Sequence, residues 1–295
     1  MMEWNSKEWR NQFSEAMKVH SREQVRLLHK QAFEATKRVV MKEKAYTSET
    51  GTHVALPSAE TMVKGTRFFY RPFDVRRVAC AYRTEYEVVC QDCLDAAKVL
   101  KDEGMNTVVL NLANANNPGG GVEMGCSAQE EQLFIRTNLM LSLYPFKKRL
   151  ADKYGLRANR LQYPLEPNFG GIYTPNALVL RGGKDTGYAW LEQPYEMSFI
   201  AVAGIDKRGK DSLLNMWEEE QTRNKIRTIL RIALYKGHDA IVLGALGCGA
   251  FNNDNKQVAH LFHQVLLDDE FSGKFKKVVF AILGKPFPYF HRAFS

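Results

Sequence analysis

Apolar and polar positions recur along this chain with two periods, and the switches between them mark its elements. Over residues 7–44, Phe13, Met17, Val25, Leu28, Phe33, Ala35 and Val39 return at helical intervals among mixed charges, which predicts helix. Around Gly51 the pattern breaks into short extended pieces at 53–56 and 66–70. From residue 85 it becomes strand, helix, strand: a strand at 87–90, Asp92 as N-cap of a helix reaching about residue 103, Gly104 as its stop, and a strand at 106–112. Helix resumes over 128–143 and ends at Pro145. Residues 144–194 are rich in Tyr, Pro, Gly and Arg and predict loops, interrupted by strands at 171–174 and 177–180. The apolar run at 197–203 predicts a buried strand. A long amphipathic helix over 211–236 closed by Gly237, a strand at 239–244, a helix at 254–267 and a last strand at 278–283 follow. Strands alternating with helices predict an α/β layered fold with a largely parallel sheet.

The stretch from Val108 to Asn138 organises the rest. A strand-like apolar run leads through Asn114, Asn116 and Asn117 to Pro118 and the triplet Gly119, Gly120 and Gly121. Gln129, Glu130 and Glu131 come seven residues later, at the expected start of a helix. Three successive glycines give up side-chain packing and suit a backbone that bends sharply and approaches a ligand, its N–H groups turned toward an anion. Two carboxylates just beyond offer acid/base or hydroxyl-binding chemistry. A second strand, glycine-rich loop and helix run through Gly247, Cys248, Gly249, Ala250 and Phe251, again with backbone N–H groups beside a helix N-terminus. In parallel sheets ligands bind beyond the carboxyl ends of the strands, so two such loops side by side would form a cleft for a diphosphate.

Composition narrows the class. The chain has 295 residues with 45% hydrophobic content, which fits a globular protein with a sizeable core. No apolar run is long enough for a transmembrane helix, and the start, with Glu3 and Glu8, lacks the apolar segment of a secretory signal. Five scattered cysteines point to reduced thiols and a cytoplasmic location. Cys90 and Cys93 have the spacing of half a zinc site, but no second pair follows, so they read as thiols at a strand-to-helix junction, and no metal or cofactor is expected. The formal net charge of +8 favours polyanionic partners, of which nucleic acid is one and is not required.

The spacing GGG-x7-QEE resembles the signature of the microbial-type poly(ADP-ribose) glycohydrolases of the macrodomain superfamily. LNLANANNPGGG (110–121), GALGCGAFNND (244–254) and YPLEPNFGGIYTPNALVLRG (163–182) share the family's look, and the likeness runs from the helix at 28–44 to the FAIL segment at 280–283. It implies a macrodomain-like three-layer α/β fold with a mixed, largely parallel sheet. The expected division is an N-terminal helical extension at 1–60 packed on a catalytic domain at 61–295. It also implies cleavage of ribose–ribose glycosidic bonds in poly(ADP-ribose), from the free end, with ADP-ribose as product. Carried over by position, Glu131 would be the catalytic acid and then base, and Glu130 would hold a ribose hydroxyl. Gln129 would support the loop and Asn116 would bind the distal ribose. The triplet, with Val122 beside it, and Gly247 to Ala250 would hold the pyrophosphate, and Phe251 would pack on the sugar. Glycoside cleavage needs a protonated leaving group, and adjacent carboxylates raise the pKa of one of them. Asn114 and Asn117 are open between turn formers and substrate ligands, and Arg136 reads as a surface or capping residue. Two departures stand out: Leu246 where the family has Trp, and Asn252, Asn253 and Asp254 where a Gly/Asn/Pro-type ending is expected. A hydrolase of mono-ADP-ribosylated protein or nucleic acid, or a reader that binds ADP-ribose without cleaving it, would use the same loops. Retention of both glutamates argues against the reader.

Overall fold

The computed structural model describes residues 4–295; the first three residues of the stretch read as an N-terminal extension lie outside it. The chain opens with α1 (Ser6–Lys18) and α2 (Arg22–Arg38), and then a π-helical turn, Val39–Glu43. The expected single helix over 7–44 is therefore broken. His20 takes a φ of 51° and Ser21 caps the new helix, its side chain accepting from the Gln24 N–H. There follow β1 (Ala45–Thr47), β2 (His53–Ala55), α3 (Glu60–Gly65), β3 (Arg67–Phe69), β4 (Glu85–Val89), α4 (Cys93–Asp102) and β5 (Thr107–Leu112). The next part holds α5 (Gln129–Arg136), α6 (Met140–Leu143), α7 (Lys148–Tyr154), β6 (Gly171–Arg181) and β7 (Trp190–Val202). Last come α8 (Met216–Tyr235), β8 (Ala240–Leu243), α9 (Asn255–Leu266), β9 (Lys277–Ala281) and α10 (Phe287–Phe294).

Two differences from the sequence expectation have local causes. The helix expected over 128–143 stops at Thr137, which is extended and bridges Val179. Its hydroxyl donates to the Leu133 carbonyl at 2.7 Å, and the Asn138 N–H goes across to the Leu178 carbonyl at 3.1 Å, so the helical ladder cannot continue. The two strands expected at 171–174 and 177–180 are one, β6. It carries Pro175, which has no N–H, and Asn176, at a φ of 49°, without ending. Asp92 and Asp254 do cap α4 and α9, and Asn215 with Glu218 forms a capping box that starts α8 later than expected.

The chain divides into two compact units, the first made of Met1–Thr66, Asn116–Tyr163 and Thr174–Met197, the second of Arg67–Ala115, Pro164–Tyr173 and Ser198–Ser295. In the first, α2 packs against α1, α5 and the 3-10 turn Val122–Met124, and β1 pairs antiparallel with β2. The seven-stranded sheet runs β3-β6-β7-β5-β8-β9-β4. Pairs β5–β7, β5–β8, β8–β9 and β4–β9 are parallel and β3–β6 is antiparallel, so the sheet is mixed and largely parallel, as expected. β5 is buried along nearly its whole length, the mark of a strand covered on both faces. Val108, Leu110, Ile200, Ile229, Ile241, Phe262 and Phe280 share the core of the second unit, each worth about 1.5–3 kcal/mol on burial.

Candidate active site

Glu130 and Glu131 open α5 and are 2% and 7% exposed. The helix has no side-chain cap, and its two carboxylates turn back onto the glycine triplet. The Gly119 N–H donates to Glu130 Oε1 at 3.1 Å and the Gly121 N–H to Glu131 Oε1 at 2.9 Å. The Gly120 N–H closes a turn on the Asn117 carbonyl at 3.0 Å. The sequence reading aimed these N–H groups at a phosphate, but all three are engaged by the chain itself. The anion they hold is the glutamate pair, in charge-assisted bonds that fix both carboxylates.

This arrangement explains the glycines. Gly119 and Gly120 have φ values of 78° and 54°, in the left-handed region. A Cβ on Gly119 would lie 2.7 Å from the Phe134 ring, and one on Gly120 would fall on the Glu131 carboxylate. Phe134 belongs to an aromatic column in which Tyr144 lies 5.7 Å away and Tyr154 stacks on Tyr144 at 5.3 Å. The Tyr154 hydroxyl donates to Glu123, in the turn that follows the triplet, and Lys153 pairs with Glu123 at 2.6 Å. Burial alone would raise the Glu123 pKa, but these two partners outweigh it and hold the carboxyl below its ordinary value. Val122 is buried, its N–H on the Gly119 carbonyl. Asn116 is exposed, its carbonyl accepting from Lys147 Nζ at 3.0 Å, and Gln129 is the first residue of α5.

Sequence reasoning missed or misread four residues: Arg136, Arg181, Thr36 and Tyr163. Arg136 is buried rather than on the surface, its Nε donating to the Arg181 carbonyl at 3.3 Å. The Arg181 guanidinium lies 3.3 Å from the Trp190 ring centroid and donates to Thr36 Oγ1 at 2.8 Å and to the Tyr188 carbonyl at 2.6 Å. Thr36 in turn donates to the Ile135 carbonyl of α5 at 2.6 Å, so an ordinary threonine of α2 carries the link. Tyr163 has a buried hydroxyl with no hydrogen-bond partner among the described residues. Burial, and then the charge of Glu130, push its pKa well up, so it stays a neutral donor. A lone Arg at a strand end, a Thr in a helix and a Tyr in a loop carry no sequence signal for such roles.

The second loop belongs to the second unit. Asn253 clamps it from inside, its Nδ2 donating to the Ile205 carbonyl at 2.6 Å and its N–H to the Gly247 carbonyl at 3.0 Å. Gly247 has a φ of 75°, and a Cβ there would meet the Asn253 side chain at 2.9 Å. Asn252 takes the left-handed conformation, φ 60°, that Asn tolerates, which accommodates the departure from a glycine-type ending. Leu246 is buried in the core. The N-terminus of α9 is met by the Asp254 carboxylate, which accepts from the Gln257 N–H at 2.8 Å, so this helix end is already capped by an anion. The N–H groups of Gly249, Ala250 and Phe251 donate to no other group among the described residues. A cavity of 460 Å³ opens here, lined by Cys248, Gly249, Asn252 and Lys285 among others. Burial, and then Asp254, push the Cys248 thiol up to about 12, which favours the neutral thiol over the thiolate. In the first unit a cavity of 840 Å³ is lined by residues of α1, α2 and α7, including Trp9, Glu34, Lys37 and Tyr154; neither glutamate lines it.

Cys90 is exposed and Cys93 buried at the start of α4, and no cluster of His, Cys, Asp or Glu among the described residues could hold a metal. No helix among the described residues is long and apolar enough to cross a membrane.

Glycoside cleavage needs a carboxyl group held in place to protonate the leaving group, and a buried carboxylate fixed by a backbone donor is a group of that kind. The family described as microbial-type PARG (poly(ADP-ribose) glycohydrolase), catalytic domain, matches residues 34–182. The poly(ADP-ribose) glycohydrolase of Thermomonospora curvata bound to the inhibitor ADP-HPD is 30% identical, with a TM-score of 0.72 over 90% of this chain and 98% of that one. The enzyme of Deinococcus radiodurans in complex with ADP-ribose is 28% identical, with a TM-score of 0.63 over 82% and 96%. No curated protein sequence matches. The chain belongs to the microbial-type poly(ADP-ribose) glycohydrolases.

Proposed function

We propose that this poly(ADP-ribose) glycohydrolase cleaves the ribose–ribose bond with Glu131, from the free end of the polymer, and releases ADP-ribose. The observation that carries the assignment is the pair of carboxylates pinned by the Gly119 and Gly121 N–H groups. A ligand-only protein has no need of two buried acids held in register by the backbone. Glu131 protonates the leaving ribose oxygen and then takes a proton from the attacking water. Glu130 holds a ribose hydroxyl and Asn116 orients the distal ribose. The glycine triplet and Val122 frame the carboxylates, with Gln129 at the helix start supporting that turn. The N–H groups of Gly249, Ala250 and Phe251, on a loop shaped by Gly247 and Cys248, take the diphosphate, and the Phe251 ring packs on the sugar. That five cysteines are free supports a reducing, cytoplasmic location. The N-terminal helices serve as an extension that braces α5 through Thr36.

The test is product release from purified poly(ADP-ribose), run beside a mono-ADP-ribosylated protein. Free ADP-ribose from the polymer, lost in Glu131→Gln while ADP-ribose binding persists, is the expected result. Wild-type turnover in that variant removes Glu131 from the role. Release from the modified protein alone moves the activity to mono-ADP-ribosyl hydrolysis.

A further inference from the structure

An exposed tryptophan stands beside the second loop. Trp217 is 79% exposed, with Met216 at 73% and Leu213 at 54%, three large apolar side chains left in solvent close together in sequence. Its backbone is held by a capping box. Asn215 Oδ1 accepts from the Trp217 and Glu218 N–H groups at 3.0 Å each, and Glu218 accepts in return from the Asn215 N–H at 2.9 Å. The indole thus stands on the first turn of a capped helix rather than on a fraying end.

The charge around it is cationic in balance. Glu218 pairs with Lys207 at 2.7 Å, Glu219 with Arg223 at 3.3 Å, and Glu220 with Arg227 at 3.1 Å. Arg208 pairs with Asp206 and lies 5.4 Å from the centroid of the Phe251 ring. Asp211, whose carboxylate accepts from the Leu213 N–H at 3.1 Å, is the acid on this segment with no cation. Lys210, Lys256 and Lys285 are exposed and make no ion pair among the described residues. This segment is tied to the loop: the Asp254 N–H donates to the Ser212 carbonyl at 3.0 Å, and Gln257 holds Leu214 by both backbone groups, at 2.8 and 3.1 Å. Ser212 and Lys285 line the same cavity as Cys248 and Gly249.

We infer that Trp217, with the exposed Lys210, Lys256 and Lys285 on the segments that frame the same loop, is a stacking platform for an adenine nucleotide unit of the polymer other than the unit being cleaved. The inference rests on the reading above. An aromatic face flanked by unmatched cations is the combination that holds single-stranded nucleotide polymers, base on ring and phosphate on lysine. A protein partner or a second copy would be served by the apolar side chains but not by the unmatched lysines.

Trp217→Ala tests it, since so exposed a side chain contributes little to folding. Expected is a rise of about tenfold in KM for long polymer with kcat unchanged, and an unchanged Kd for ADP-ribose. Lys210→Glu combined with Lys256→Glu should also raise the polymer KM and flatten its salt dependence. An unchanged polymer KM in Trp217→Ala overturns the inference. So does an equal loss of ADP-ribose affinity, which would put the indole on the cleaved unit. A shift in sedimentation with unchanged KM overturns it too, in favour of contact between copies. If wild-type protein fails to cleave the polymer at all, the hydrolase reading falls separately. Polymer affinity of wild type against Trp217→Ala, measured by direct titration, then still decides the platform.

Discussion

Gly120→Ala puts the geometry of the glutamate pair to its sharpest test. The added methyl demands the left-handed backbone at φ 54° from a residue with a Cβ, worth roughly 1–2 kcal/mol. It also falls on the Glu131 carboxylate, which is not a free-swinging end because the Gly121 N–H holds it at 2.9 Å. Moving the carboxylate breaks that charge-assisted bond and leaves a buried donor unmet, a further loss of about 1.5–3 kcal/mol. Together about 3–4 kcal/mol of stability should go, a fall in Tm of roughly 10 °C on the scale of 2–4 °C per kcal/mol. Displacement of the reacting carboxylate by about an ångström should lower kcat about 10²-fold. Tm by calorimetry and initial rates of ADP-ribose release read the two effects separately. Gly249→Ala is the stability control, since a Cβ there meets nothing within 4 Å and the backbone is not left-handed. A Gly120→Ala protein that melts like wild type and turns over within about threefold of it would refute the reasoning.

Two further outcomes follow from buried groups. Burial lowers the His238 pKa from 6.5 to about 4, and burial followed by the charge of Lys184 does the same to His29. The unfolded chain therefore takes up protons below pH 6.5 that the folded chain refuses until about pH 4, so stability should be level above 6.5 and fall through that window, by about 3 kcal/mol for His238. Denaturant titrations at pH 7 and pH 4.5 check the sign, and His238→Gln should shrink the difference. Arg181→Lys should cost about 3 kcal/mol, because an ammonium cannot donate to Thr36 and Tyr188 at once while lying on Trp190. Its kcat should fall as well, since Thr36 holds the Ile135 carbonyl; urea unfolding at wild-type midpoint would count against this.

Much of the layout was legible because the signals were local. Asp92 and Asp254 sit at their helix starts because a short side-chain acceptor there is good for the backbone whatever surrounds it. The buried strands β5 and β8 follow from continuous apolar runs. What was not legible depends on partners distant in sequence. Helix continues past Thr137 in any periodic reading, and only the Val179 bridge and the Leu178 carbonyl end it. β6 crosses Pro175 because its neighbours, not its own residues, keep it extended. The triplet was found from spacing, but where its N–H groups point was not, since that direction is set by α5 folding back on them. Arg136 looked like a surface charge for the same reason: its burial is decided by Arg181, far along the chain.

The grip of the loop on its own carboxylates bears on which inactive form suits the capture of polymer. Truncating Glu131 to Ala strips the Gly121 N–H of its acceptor and leaves a bare donor in a concave turn, a trap for buffer anions. Such a protein would report affinities that vary with chloride, sulfate or phosphate in the medium. Glutamine keeps an oxygen in place for that N–H and removes only the transferable proton. As a reagent for isolating modified chains, the amide is the inactive form to choose.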